Sequence, residues 1–180
     1  MTLIPPYKKD DVIEWANLQS LPFKETSFRN SESIYFPSIA QIRSPRLMKS
    51  IKLFMEKKEI KIIENMELAE IQDKEGEVKK WPTKKNSFIV ADYYVITSGA
   101  WTSNLKDNYK SKIYPVRGQM IQYKASNLKI GNILYSNDFY ILQRKDGVII
   151  AGSTIEEVGF DETVTIDTKE ALMRKAEALV

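Results

Sequence analysis

Cysteine and histidine are both absent from this 180-residue chain. Without thiols there is no disulfide and no thiolate nucleophile. Without imidazole there is no His-based triad, and the common zinc ligand sets are out of reach. Chemistry here must rest on carboxylates, Lys, Arg, Tyr or a borrowed cofactor. Glycine is scarce too, with seven in all and none before Gly76. A Gly-x-Gly-x-x-Gly cluster, which lets backbone amides close on a pyrophosphate, is therefore missing. No apolar run approaches the ~18 residues of a membrane-spanning helix. The start, Met1-Thr2-Leu3-Ile4-Pro5-Pro6-Tyr7-Lys8-Lys9, has neither a long apolar core nor a cleavage pattern. A signal peptide is not expected, and a cytoplasmic location is the default.

Charge excludes little. There are 27 basic and 24 acidic residues, a net +3, and the basic pairs Lys8-Lys9, Lys57-Lys58, Lys79-Lys80 and Lys84-Lys85 mostly have Glu or Asp nearby. That is a solvated surface, not a nucleic-acid track. Glu156-Glu157 and Asp161-Glu162 read as solvated loop carboxylates rather than an acid/base pair. The length suits one domain with a real core.

The patterning predicts three helices among many short strands. Asp10 to Gln19 reads as a helix with an Asp11/Glu14 capping box. Leu21 to Ser33 is polar and loop-like, and Ile34-Tyr35-Phe36 is a short strand ended by Pro37. Ser44 caps a second helix with Pro45 at its first position. Its apolar stripe is Leu47, Met48, Ile51, Phe54 and Met55, and it ends near Lys58. Ile60 to Ile71 reads as one or two strands, and Asp73-Lys74-Glu75-Gly76 turns Leu68–Ile71 back onto Glu77–Trp81. Phe88 to Thr97 is strand-like, as is Ile113 to Tyr123 with a break at Arg117-Gly118. Asn132 to Tyr135 and Phe139 to Gln143 pair through Ser136-Asn137-Asp138, and Lys145-Asp146-Gly147 returns Val148 to Ala151. Asp167 and Glu170 open a last amphipathic helix carrying Leu172, Met173, Ala176, Leu179 and Val180. The sum is α+β, a mixed and largely antiparallel sheet with flanking helices.

One stretch organises the rest: Ala91-Asp-Tyr-Tyr-Val-Ile-Thr-Ser-Gly-Ala-Trp101. A buried-looking strand, then Ser98-Gly99, then a helix start at Ala100-Trp101 is how α/β proteins bring backbone N–H groups to a phosphate or flavin ring. It is equally how an ordinary strand ends. Downstream stand Tyr114-Pro-Val-Arg-Gly-Gln-Met120, Tyr140-Ile-Leu-Gln-Arg-Lys-Asp-Gly147, Ala151-Gly-Ser-Thr154 and Gly159-Phe-Asp161. In that order and spacing the series resembles the middle of the FAD-dependent amino-acid oxidase superfamily, the relatives of glycine oxidase and D-amino-acid oxidase. The resemblance runs from about Ile34 to the C-terminus.

It implies FAD as cofactor and a small amino acid as substrate, glycine, sarcosine or a small D-amino acid, oxidised to the imine. It places Ser98, Gly99, Ala100 and Trp101 against the FAD and Leu68 at the adenine end, where Leu68 could also be a plain strand residue. Arg117 either supports the flavin side or holds its turn. Tyr140 and Arg144, with Leu142 on one strand face, could meet a substrate carboxylate, or could be a sheet-face pair with Arg144 in a surface ion pair. Ile155 matches a pocket-wall position, or packs in a core. Relatives usually carry Gly at the position of Glu59. A Glu there costs about 1 kcal/mol if the left-handed turn is kept.

The resemblance covers the family's substrate domain, read as a single domain over residues 1–180. Strands at about residues 60–101 would belong to the cofactor sheet of the full family member. The Rossmann motif and the C-terminal arginine segment are not found. The chain is therefore expected to be a catalytically incomplete fragment, with exposed strand edges that favour self-association or a partner chain carrying the missing FAD domain. Two other readings stand beside it: a non-catalytic binding or assembly remnant, and the flavin domain of another amine-oxidising or tRNA-modifying enzyme.

Overall fold

A computed structural model of the chain describes residues 1–5, 7–71, 78–105, 113–125 and 127–180. They form two compact units: residues 1–42, 117–156 and 161–180, and residues 43–116 with 157–160. In chain order the elements are β1 (Thr2–Leu3), α1 (Lys9–Leu18), β2 (Lys24–Phe28), β3 (Ser31–Tyr35), α2 (Ser44–Lys57), β4 (Trp81–Pro82) and β5 (Phe88–Ile89). A 3₁₀ turn (Gly99–Asn104), β6 (Met120–Lys124), β7 (Leu134–Ser136), β8 (Phe139–Gln143), β9 (Val148–Gly152) and α3 (Ile166–Leu179) follow. Among the described residues no helix is long and apolar enough to cross a membrane.

The first unit is built on a seven-stranded sheet of order β2-β3-β1-β7-β8-β9-β6. Every pairing is antiparallel except β1 with β7. This is the mixed, largely antiparallel α+β sheet that the patterning predicts. The two tight turns fall where expected, with Asn137, Asp138 and Gly147 at φ 53°, 59° and 81°. Strand alternation then sorts the side chains. Ile121, Ile141, Ile149 and Ala151 point to the face covered by α3, where Leu172 and Ala176 close a core with Leu134 and Phe139. The opposite face carries Tyr140, Leu142 and Arg144 on β8, Val148, Ile150 and Gly152 on β9, and Met120, Gln122 and Lys124 on β6. A second core, Ala16, Ile34 and Phe36, lies under α1.

Several local expectations are corrected. Leu21 to Ser33 is not a loop: β2 and β3 form a hairpin through Arg29 and Asn30, both at positive φ. Its alternation is hidden because β2 is an edge strand, largely exposed along its length. Asp11 and Glu14 make no capping box. The cap position is Lys8, without a side-chain bond, and Asp10 and Asp11 sit in the first turn, where the helix dipole favours them. Helix α3 is capped by Thr165, whose side chain accepts from the Thr168 amide, and not by Asp167.

In the second unit Ser44 is not the cap of α2. Arg43 is, and Ser44 and Pro45 occupy the first two helical positions, where the proline's missing N–H costs nothing. The helix ends at Lys58, and Glu59 takes φ +56°, the left-handed turn foreseen from the resemblance. Helix α2 has its apolar stripe but no buried residue. Leu47, Met48, Ile51 and Phe54 are all exposed.

Residues 60–64 and 93–97 are not strands among the described residues. Burial does alternate from Tyr93 to Ala100, the strand period, but Tyr93 and Val95 are open to solvent. A ladder needs a neighbouring strand, and none of the described strands lies beside them. Pairing near Leu68 is limited to an antiparallel bridge with Thr83, flanked by Ala69 N–H to Pro82 O (2.9 Å) and Lys84 N–H to Glu67 O (2.9 Å). The turn expected at Asp73–Gly76 lies outside the described residues. Trp81 anchors this unit, buried, with Nε1 donating to Ala69 O at 2.9 Å and its ring edge-on to Tyr94 at 5.7 Å.

Candidate functional site

The sequence-predicted residues fall into two sets, one in each unit. In the first unit, Tyr140 and Arg144 lie on the sheet face opposite α3, with buried Leu142 between them. Gly152 is the cross-strand neighbour of Tyr140 on one side and of Met120 on the other. A Cβ on Gly152 would fall 2.9 Å from Met120 Cβ and 3.3 Å from its Cα, so only glycine fits between these strands. Arg144 donates its backbone N–H to Val148 O at 2.8 Å. Its side-chain Nε is buried and has no hydrogen-bond partner among the described residues. Such a donor costs stability until an acceptor arrives. Ile155 is 74% exposed and packs in no core.

Arg117 is fully committed to protein acceptors. Nε and Nη2 donate to Glu156 Oε2, and Nη1 donates to Asp161 Oδ2 at 2.8 Å and to Thr163 O at 2.9 Å. Glu156 in turn accepts from the Thr154 hydroxyl and from Gln119 Nε2 (2.9 Å). The Thr154 hydroxyl first, then Arg117 and Gln119, hold the Glu156 carboxyl down at about 2. Asp161 is also lowered, chiefly by the Thr163 hydroxyl and amide. Glu156 and Asp161 are thus not the solvated carboxylates expected from a loop. The Arg-Gly-Gln turn was legible in the sequence, but its acidic partner, 39 residues away, was not. The network fixes both ends of the segment that carries Ile155.

In the second unit Ser98 precedes the 3₁₀ turn. Its Oγ lies 3.0 Å from Thr102 Oγ1, which donates to Gly99 O at 2.7 Å. Gly99 has φ +53°, which glycine tolerates best, and a Cβ there would meet no atom within 4 Å. Ala100 is half-buried. Trp101, 58% exposed, stacks on Phe160 at 5.6 Å. That aromatic partner was not anticipated. Leu68 is half-buried at its bridge.

With this geometry in hand, the comparisons are direct. Residues 12–180 match the family model described as FAD dependent oxidoreductase. A glycine oxidase of Pseudomonas putida is 29% identical over 168 residues, 92% of this chain and 45% of the relative. One from Pseudomonas aeruginosa is 26% identical over 193 residues, 94% and 50% of the two chains. The chain thus spans about half the length of the curated relatives it matches. Among solved structures, glycine oxidase from Bacillus cereus superposes with TM-score 0.85 at 16% identity, over 99% of this chain and 54% of that one. Iminodiacetate oxidase from Chelativorans sp. BNC1 superposes with TM-score 0.75 at 18% identity, covering 99% and 54%. The structural matches establish the fold and the family match establishes the lineage: this chain belongs to the FAD-dependent oxidoreductases.

Proposed function

We propose that this chain forms the substrate-side portion of an FAD-dependent oxidoreductase that oxidises glycine, sarcosine or a small D-amino acid to the imine. The observation that carries the reading is the buried, partnerless Nε of Arg144 on the sheet face of Tyr140. A guanidinium held there accepts a carboxylate in a charge-assisted bond, and the Tyr140 phenol orients it. Ile155, held outward by the Arg117–Glu156 network, walls the substrate side. Arg117, with its donors filled, serves by fixing the Gly118-Gln119 turn. The Ser98–Trp101 backbone, with open space over Gly99, and Leu68 take the cofactor. When bound, FAD supplies the acceptor for the hydride leaving the substrate Cα.

Turnover in this reading requires more chain than this one. The exposed stripe of α2 and the exposed Ile60, Ile62 and Ile63 are the surfaces that a complementary FAD-binding segment would cover. The same exposure favours the second reading, a non-catalytic assembly module.

The test is an NMR titration of the arginine Nε–H resonances with sarcosine, glycine and methylamine, alongside the flavin content of the purified chain. The reading expects the Arg144 Nε–H to shift with both carboxylates and not with methylamine. No shift, or the same shift with methylamine, would sink the substrate assignment. A carboxylate-silent, flavin-free folded chain would favour the assembly module.

A further inference from the structure

Strand β6 ends the seven-stranded sheet with one side unpaired. The backbone geometry says which groups are free. Arg144 N–H bonds Val148 O, so β9 residues 148, 150 and 152 turn their backbone toward β8, and Ile149 and Ala151 turn toward β6. Ile121 and Tyr123 are therefore the β6 residues bonded to β9, and the N–H and C=O of Met120, Gln122 and Lys124 point off the sheet. Edge strands are usually blunted by charge. The far edge, β2, carries Lys24 and Glu25, with Glu25 paired to Lys9 at 2.6 Å. Strand β6, Met-Ile-Gln-Tyr-Lys, carries no charge before its last residue.

Beside this edge lies a groove of about 560 Å³ between β6 and α3. The α3 side presents Lys169, Met173 and Glu177, spaced four residues apart and so in one stripe. The helix runs in the same direction as the strand. Near its start Gln119 Nε2 reaches Thr168 Oγ1 at 3.5 Å, and near its end Glu177 lies close enough to act on the Tyr123 phenol. Neither Lys169 nor Glu177 is in a salt bridge among the described residues.

We propose that β6 and α3 form a two-fold symmetric interface with a second copy of this chain. The register follows from the free groups. With Gln122 on the dyad, Met120 pairs with the partner's Lys124, and Gln122 pairs with the partner's Gln122. Each pair exchanges two backbone hydrogen bonds. Ile121 meets the partner's Tyr123 on the groove side, and no like charges face each other. The two α3 helices then lie antiparallel across the joined groove. Lys169 faces the partner's Glu177, Met173 faces the partner's Met173, and the mirror ion pair closes the other end. Head-to-tail charge with an apolar centre is the self-complementarity that a two-fold contact demands.

Sedimentation equilibrium of the chain tests this. The expected species is a dimer. Gln122→Pro removes an N–H that makes no bond within the monomer, and proline is tolerated on such an edge. It should leave the far-UV spectrum unchanged and yield a monomer. Lys169→Glu and Glu177→Lys should each raise the dimer Kd about tenfold, since each spoils two symmetric pairs. The double reversal should return to within about threefold of the starting value. If Gln122→Pro disturbs the fold, the charge series alone decides. A monomeric parent chain overturns the proposal. So does a dimer indifferent to the charge series, because it must associate through another surface.

Discussion

Arg117 and Glu156 grip each other twice. Their backbones form an isolated antiparallel bridge, with both N–H···O distances at 2.9 Å, and their side chains form a bidentate ion pair onto Glu156 Oε2. The consequence is a pH signature. Glu156 sits near 2 against an ordinary 4.5, and Asp161 is lowered as well. Carboxyls depressed by folding add stability that is complete above their unfolded pKa and is lost as pH falls toward the folded value. Thermal unfolding of the first unit should weaken between pH about 4.5 and about 2. Glu156→Gln should be less stable at pH 7 and lose most of that slope. Parallel Tm–pH curves for the two proteins would show that the pair does not control acid stability.

Glu59 marks a place where the chain departs from its easiest solution. Its φ of +56° is left-handed, where a side chain costs energy that glycine avoids. Glu59→Gly should stabilise the C-terminal turn of α2 by up to about 1 kcal/mol, part of it offset by the greater freedom of glycine in the unfolded chain. Hydrogen exchange at the Lys58 and Ile60 amides, both bonded back to the last turn, reads the change locally. Faster exchange in the variant would contradict the strain argument.

The hairpins that folded as read share strong local signals. Asn137-Asp138 and Lys145-Asp146-Gly147 supply positive-φ residues between apolar strands, and α3 has a clean apolar stripe. Strand β2 gave no such signal. Lys24 to Phe28 alternates nothing apolar because neither face of that edge is deeply covered. Tyr93 to Thr97 failed for the reverse reason. Its β-branched and aromatic content is real, but composition does not supply a neighbour to pair with. The site was legible as motifs and not as contacts. Arg117, Tyr140 and Arg144 stood out by their local patterns, while Glu156 and Phe160 act through partners tens of residues away.

Gly152 offers a steric test. Tyr140 and Met120 flank it on neighbouring strands, and a Cβ would meet the Cβ and Cα of Met120 at 2.9 and 3.3 Å. Gly152→Ala should cost about 1–3 kcal/mol by overpacking. Trimming the neighbour with Met120→Ala should not rescue it, because the clash is with atoms that alanine keeps. A urea series on the two single variants and the double variant checks both statements. Full rescue in the double variant would mean that the thioether chain sets the limit.

Arg144 sets stability against recognition. Its buried Nε lacks an acceptor, and an unmet donor typically costs about 1–3 kcal/mol. Arg144→Met keeps the length of the side chain and removes the donor, so the ligand-free chain should become more stable by about 1 kcal/mol or more. The same change should abolish carboxylate-dependent NMR shifts of the Tyr140 ring. Arg144→Lys keeps the charge but not the planar fork, and should bind sarcosine about tenfold more weakly. Residues kept only for packing do not show this opposition, in which the change that improves the fold removes the ligand. If Arg144→Met destabilises the chain and leaves the Tyr140 shifts intact, the guanidinium belongs to the fold, and the substrate carboxylate must be met elsewhere.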